Sequence, residues 1–250
     1  MTQREILIIT EGATEREVGN VLWEKKILSP QGIPKPPDWK SVIGSREGYE
    51  QVIKALKEKN PIASLIGKKD ARVLMLFDCE DSASPKDRAK KIEDDLRRND
   101  PSGFWTRIQF NQIQSYNNIF EYRSNVHIVL HISASSVDGI TRSDFDGYIL
   151  QLLQGDQGKN IAQRLLSNIH RQHMDIDRLL HKAQKELTEL MKQNGYPWTH
   201  AKSWLYAYIT VFQYRQSHVW FAKDVVQYAP DDELRRVFAS LITAWNRLLI

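Results

Sequence analysis

The chain has 250 residues, 41% hydrophobic and 26% charged, with a formal net charge of +4 and one cysteine. The lone cysteine excludes an internal disulfide framework and a Cys-rich zinc site and fits a reducing cytoplasm. No apolar run approaches about 18 residues and the N-terminus has no signal-peptide pattern, so membrane insertion and export are not expected.

The first element is the unbroken apolar run Ile6-Leu7-Ile8-Ile9, which leads straight into Thr10-Glu11-Gly12-Ala13-Thr14-Glu15. Thr14 and Glu17 form a Thr-x-x-Glu capping box, predicting a helix to about Leu28 with Val18, Val21, Leu22 and Leu28 buried. Gly12 is read as the residue that lets strand turn tightly into helix and lifts Glu11 above the sheet. Ser29 to Pro37 reads as a loop, and helix resumes around Arg46 to Lys59 with Tyr49, Val52, Ile53 and Leu56 inward.

A second apolar strand, about Ala71 to Phe77, ends in Asp78-Cys79-Glu80-Asp81. Ser84 before Pro85 starts a charged helix to about Arg98, with Ser84 as N-cap. Strands apolar on both faces, alternating with helices, predict an α/β fold with a mostly parallel sheet flanked by helices. From Trp105 to Ser133 the pattern becomes two-residue: Thr106, Ile108 and Phe110, then Ile119 to Tyr122, then Val126 to Ile132 after a turn at Arg123-Ser124-Asn125. Two or three further strands are expected there. Beyond Asp144 the pattern is helical: about Asp144 to Leu153, Asn160 to Asn194, Trp198 to Arg215, Val219 to Tyr228 and Asp231 to Leu249. Residues 1–150 therefore read as an α/β domain and 151–250 as a helical extension packed on it, with no low-complexity linker between them.

Carboxylates gathered at strand ends bind Mg²⁺ and polarise phosphates. Glu11 precedes the helix cap, so the helix dipole that accounts for Glu15 and Glu17 accounts for it poorly. Asp78, Glu80 and Asp81 are costly side by side unless a cation compensates or the loop projects them into water. Cys79 reads as a small buried filler, since no neighbouring histidine activates it. Asp144 and Asp146 either complete the acidic set or are first-turn residues favoured by the dipole. Lys202 either neutralises a phosphate or snorkels from a helix whose core stripe is Trp204, Leu205, Tyr208 and Phe212. The pairs His127/His131 and His170/His173 lack zinc-site partners and read as structural or surface residues. Basic residues between Lys54 and Arg98 suit a solvated face or a polyanionic partner, and the aromatics from Trp198 to Phe221 suit a helical core or stacking on bases.

A strand ending in Glu-Gly-x-Thr-Glu, followed by a helix and a later strand ending in two spaced acids, resembles the Toprim domain of topoisomerases, primases and overcoming-lysogenization-defect nucleases. Glu11, Asp78 and Glu80 are the matching positions; the family has Asp where this chain has Glu80, and Asp81 lies beside it as an alternative. A weaker resemblance to a stand-alone Toprim-related group of unassigned function is carried by Ser143 to Leu150 and Ala201 to Tyr208. The resemblance implies a Toprim-like sheet with a C-terminal helical extension. It also implies Mg²⁺ (or Mn²⁺) held by Glu11, Asp78, Glu80 or Asp81, and Asp144, with Glu11 and Lys202 as catalytic groups.

The function expected on that basis is a metal-dependent, cytoplasmic nuclease hydrolysing nucleic-acid phosphodiesters, DNA ahead of RNA. The alternative is a catalytically weak nucleic-acid or nucleotide-binding module that serves as effector of an ATPase partner, as Toprim domains do in some antiphage systems. Topoisomerase and primase are disfavoured because the chain lacks the further domains those enzymes carry. A receiver or haloacid-dehalogenase reading accounts for acids after a strand but not for Glu11 in its setting.

Overall fold

A computed structural model describes residues 6–28, 38–40, 48–59, 61–62, 65, 71–195 and 199–250. The sheet-forming half contains β1 (Ile6–Thr10), α1 (Ala13–Glu24), β2 (Asp38–Lys40), α2 (Tyr49–Glu58), β3 (Arg72–Asp78), α3 (Pro85–Arg97), β4 (Asn111–Gln112), β5 (Ile119–Arg123) and β6 (His127–Ser133). The helical half contains α4 (Asp146–Gln154), α5 (Gly158–Asn168), α6 (Ile176–His181), α7 (Leu187–Gln193), α8 (Ala201–Val211), α9 (His218–Tyr228), α10 (Asp231–Val237) and α11 (Ala239–Leu249).

Among the described residues six strands form one sheet in the order β2-β1-β3-β6-β5-β4. β2, β1, β3 and β6 run parallel, while the β5–β6 hairpin and β4 add an antiparallel edge. The apolar strands are buried on both faces because successive side chains point to opposite sides. Leu7, Ile9, Val73, Met75 and Phe77 pack under α2 and α3. Ile8, Leu74, Leu76 and Val129 share a second core with α1 and with Leu152, Leu205, Phe221 and Trp245 of the helical half. α11 is tied to the sheet by Arg72 of β3, which donates to the Leu248 carbonyl, and by Arg247, 2.7 Å from Glu121 of β5.

Several local expectations are corrected. Gly12 is the N-cap of α1 and no side chain caps that end, so Thr14 lies inside the first turn and the capping box does not form. Gly12 has φ −143°, which any residue adopts. What constrains it is space, since an added Cβ would stand 3.0 Å from the Glu15 carboxylate. α1 stops before Leu28 because Lys26 turns left-handed at φ 58° and Ile27 N–H closes on the Leu22 carbonyl at 2.8 Å. Trp105–Arg107 is a 3₁₀ turn rather than strand: its Trp105 ring is buried and the indole N–H donates to Leu56 O at 3.1 Å. The long helix expected over 160–194 is broken after Asn168, where His170 adopts φ 57° and Arg171 N–H closes on Leu166 O at 2.7 Å. The last helix is likewise two, α10 and α11, joined at Phe238. The loop expectation for 29–37, Lys68, Lys69 and Trp198 lie outside the described residues.

Candidate functional site

The chain leaves β1 toward β2 on one side, while β3 pairs with β1 on the other. The carboxyl ends of β1 and β3 therefore flank the point where the winding reverses, the place where open α/β sheets bind ligands. Glu11 directly follows β1, and Asp78 is the last residue of β3. The Asp78 backbone N–H donates to Glu11 Oε2 at 3.1 Å, which brings the two acids together.

The segment before α4 joins them. Asp78 Oδ1 accepts the Phe145 N–H at 2.7 Å, and Asp144 Oδ1 accepts the Gly147 N–H at 3.0 Å. Glu80 is left-handed at φ 51°, and its N–H donates to Ser143 O at 2.9 Å. A non-glycine residue in that region costs roughly 1–2 kcal/mol, a conformation that recurs at functional sites.

Buried Arg88 of α3 lies 2.9 Å from Glu80 Oε2 and 3.5 Å from Glu11 Oε2. Its guanidinium carbon sits 4.0 Å from the Tyr49 ring centroid, a cation–π contact. Arg142 takes the other Glu80 oxygen at 3.1 Å. Arg142 N–H in turn donates to Thr199 O at 3.3 Å, and Arg142 bridges to His200, which brings the start of α8 and its exposed Lys202 to the rim.

Burial dominates the electrostatics, and repulsion between the acids adds to it at Asp78 and Asp144. Burial, then the charges of Glu15, Glu11, Asp144 and Asp146, hold the Asp78 carboxyl well above the usual carboxylate range. Burial raises Glu11, opposed by the Asp78 amide and Arg88. Burial and then Asp146 push Asp144 up to about 7, and burial pushes Asp146 up to about 6 against the pull of Lys202. Asp146 Oδ1 is buried without a hydrogen-bond partner. Burial also pushes the Cys79 thiol up, in keeping with a filler.

Glu11, Asp78, Glu80 and Asp144 are thus brought together, with Lys202 at their edge. Asp81 is exposed and takes no part in these contacts. Among the described residues no three His, Cys, Asp or Glu side chains form a ready-made metal cage. Glu80 has both oxygens on arginines, so it departs from the expected ligand role. The donor chemistry of the others nevertheless fits a hard cation. All are carboxylate oxygens, burial and neighbouring acids disfavour the charge on Asp78, and Asp146 carries a buried oxygen with no hydrogen-bond partner among the described residues. Asp78, Asp144 and Asp146, with Glu11 beside them, are the residues that would hold it, by drawing together from positions that do not by themselves form a cage.

Sequence reasoning gave no site role to Arg88, Arg142 or Glu15. Arg88 did leave a signal, since it shares the α3 face of Ile92 and Leu96, four and eight residues on, where a charge is out of place. Glu15, read from the sequence as favoured by the helix dipole, does lie in the first turn of α1 but is buried, and its charge acts on Asp78. Arg142 lies in irregular chain with no periodicity to mark it.

No protein-family model and no curated protein sequence matches the chain. The fold is similar to that in the crystal structure of a hypothetical protein from Pyrococcus horikoshii OT3, with TM-score 0.56 and 14% identity over 99% of this chain and 100% of that one. At that identity the likeness is one of fold, a mixed α/β sheet continued by C-terminal helices.

Proposed function

We propose that the acidic cluster at the ends of β1 and β3 is a Toprim-type divalent-cation site and that the protein is a metal-dependent nuclease, with DNA ahead of RNA as substrate. The observation that carries this reading is the convergence of Glu11 and Asp78 at the switch point of the sheet, with Asp144 and Asp146 crowding the same space. Burial of several neighbouring acids disfavours their charged forms, recurs at functional sites, and would be relieved by a cation. A bound Mg²⁺ or Mn²⁺ supplies an activated water and charge neutralisation at the phosphate.

The chain's own groups have separate parts in this proposal. Glu11, whose carboxyl burial holds above the usual carboxylate range, is the group that would accept or give up a proton. Arg142 and Lys202 stand where they can bind phosphate oxygens, Arg142 by exchanging its Glu80 contact for the substrate. Arg88 holds Glu80 and Glu11 in place from below. The test is cleavage of supercoiled plasmid, single-stranded DNA and RNA with Mg²⁺ or Mn²⁺ by wild type, Glu11→Gln and Asp78→Asn. Metal-dependent cleavage lost in both variants is the expected result; cleavage unaffected by either would remove the site from the reaction.

One observation favours a second reading. Glu80, at the position where Toprim enzymes carry an acid for metal, is neutralised by two arginines. A site so compensated suits a weakly catalytic nucleic-acid or nucleotide-binding module acting with a separate ATPase. Binding without turnover in the same assays is the result that selects it.

A further inference from the structure

α8 is built mainly for the core, yet one of its aromatics faces outward. Trp204 and Tyr208 are buried, while Tyr206 between them is 48% exposed. Exposure of a large ring on a helix otherwise lined by apolar contacts leaves a flat surface in water. The Tyr206 ring is paired with the His218 imidazole at the start of α9, ring centroids 5.7 Å apart, and its hydroxyl lies 3.3 Å from His218 Nδ1. The pair holds the tyrosine as a fixed platform rather than a free side chain.

Lys202 precedes Tyr206 by one helical turn on the same exposed face, so the two side chains are neighbours. The first turn of α8 is fixed next to Arg142 through the Thr199 and His200 backbone contacts, and Arg142 touches Glu80. A continuous track therefore runs from an aromatic platform, across two cations, to the acidic cluster. Burial and then the charge of Lys202 push His218 down to about 4, so its ring is neutral at neutral pH and the track's charge comes from Lys202 and Arg142.

We propose that this track binds an unpaired nucleic-acid strand, with a base stacked on Tyr206 and the adjoining phosphates on Lys202 and Arg142. Stacking on a protein ring needs an exposed base face, which a paired duplex hides except at its ends. Cations beside the ring attract the backbone without reading sequence. The inference rests on the proposed nuclease reading for its purpose, since it names single-stranded nucleic acid as the substrate delivered to the acids. Its binding claim is separable from cleavage.

The experiment measures binding of fluorescent oligo(dT), oligo(U) and a blunt DNA duplex to the full chain in EDTA at fixed salt. Wild type, Tyr206→Ala, Tyr206→Phe and Lys202→Ala are compared, with thermal unfolding of each as the control for folding. Single strands are expected to bind more tightly than duplex. Tyr206→Ala is expected to weaken single-strand binding about 10-fold and Tyr206→Phe to retain it, because phenylalanine keeps the ring face on which a base stacks. Lys202→Ala is expected to weaken binding and flatten its salt dependence. Equal binding by wild type and Tyr206→Ala, or no single-strand binding by wild type, overturns the proposal. The cleavage assay separates the two ideas: Glu11-dependent cleavage indifferent to Tyr206 leaves the nuclease and sinks the platform. Tyr206-dependent binding without cleavage leaves the platform and sinks the nuclease.

Discussion

The carboxylate of Glu11 accepts the backbone N–H of Asp78 at 3.1 Å, so the ends of two parallel strands are joined by a side chain from one and the main chain of the other. The same carboxylate faces Arg88 at 3.5 Å. Glu11 is thus a structural tie as well as the acid proposed to carry the chemistry, and the two roles separate by substitution. Glu11→Gln keeps an oxygen for the Asp78 amide and is expected to change stability by no more than about 1 kcal/mol while removing cation-dependent activity. Glu11→Ala leaves the Asp78 amide unpaired and Arg88 with Glu80 as its remaining carboxylate, and is expected to cost about 1–3 kcal/mol. Urea unfolding of both variants, read beside their cleavage rates, checks the distinction.

Arg88 is 1% exposed in its side chain and faces two carboxylates. Arg88→Met removes the buried counter-charge and is expected to destabilise by about 3–5 kcal/mol at neutral pH, as breaking a buried pair does. Part of that loss is expected to return at about pH 4–5, because Glu11, already raised by burial, loses a charge that lowers it and takes up a proton more readily. Denaturation midpoints at the two pH values test this; an equal loss at both would mean that Arg88 acts through packing over Tyr49 alone.

The acids of the cluster predict a pH slope. Asp144 and Asp146 are raised from 3.8 to about 7 and about 6, so the folded state binds their protons more tightly than the unfolded state does. Their favourable contribution is fully present below pH 3.8 and is lost as pH rises through about 6 and 7. Asp144→Asn is therefore expected to stabilise the metal-free protein at pH 8, on the order of 1–3 kcal/mol with solvent screening included, and to do little at pH 4. If the cluster holds a cation, Mg²⁺ raises the melting temperature of the wild type more at pH 8 than at pH 5 and less in Asp144→Asn.

His131 sets the opposite slope at acid pH. It is fully buried, its Nε2 lies 2.9 Å from Ser240 Oγ, and burial pushes it down from 6.5 to about 3. The unfolded chain takes up this proton first, so stability is lost as pH falls from 6.5 toward 3. His131→Gln, which does not titrate, is expected to flatten that acid limb, with hydrogen exchange or melting between pH 4 and 7 as the readout.

Gly147 opens the first turn of α4 beside the cluster, and a Cβ there would collide with the Ser135 hydroxyl. That hydroxyl donates to the Asp144 carbonyl at 2.9 Å. Gly147→Ala is expected to cost about 1–3 kcal/mol by overpacking and to displace the Asp144 segment. A variant with wild-type stability and wild-type cation response would show that the segment has room to move.

Apolar strands ending in acids were legible because burial on both faces leaves an uninterrupted run, and only the strand end is free to be polar. The runs at Ile6–Thr10 and Arg72–Asp78 are strands, and Glu11 and Asp78 stand at their ends as the pattern required. Ser84 and Pro85 start α3, with Ser84 Oγ accepting the Asp87 N–H at 3.1 Å, because capping is a contact between near neighbours. Local chemistry did not reveal where helices break: His170 and Phe238 interrupt runs that stay apolar and periodic on both sides, since packing selects the break.

The sequence by itself determined the α/β alternation, the two acidic strand ends and the helical character of the last hundred residues, all properties of short stretches of chain. Only the tertiary structure decided that β3 lies beside β1, that Glu80 is claimed by Arg88 and Arg142, and that Asp144, Asp146 and Lys202 share one site with Glu11. Those relations join residues 8 to 191 positions apart in the chain. Periodicity tells which face of an element is apolar, whereas the partner of a charge is chosen by the sheet order and by which helix covers which face.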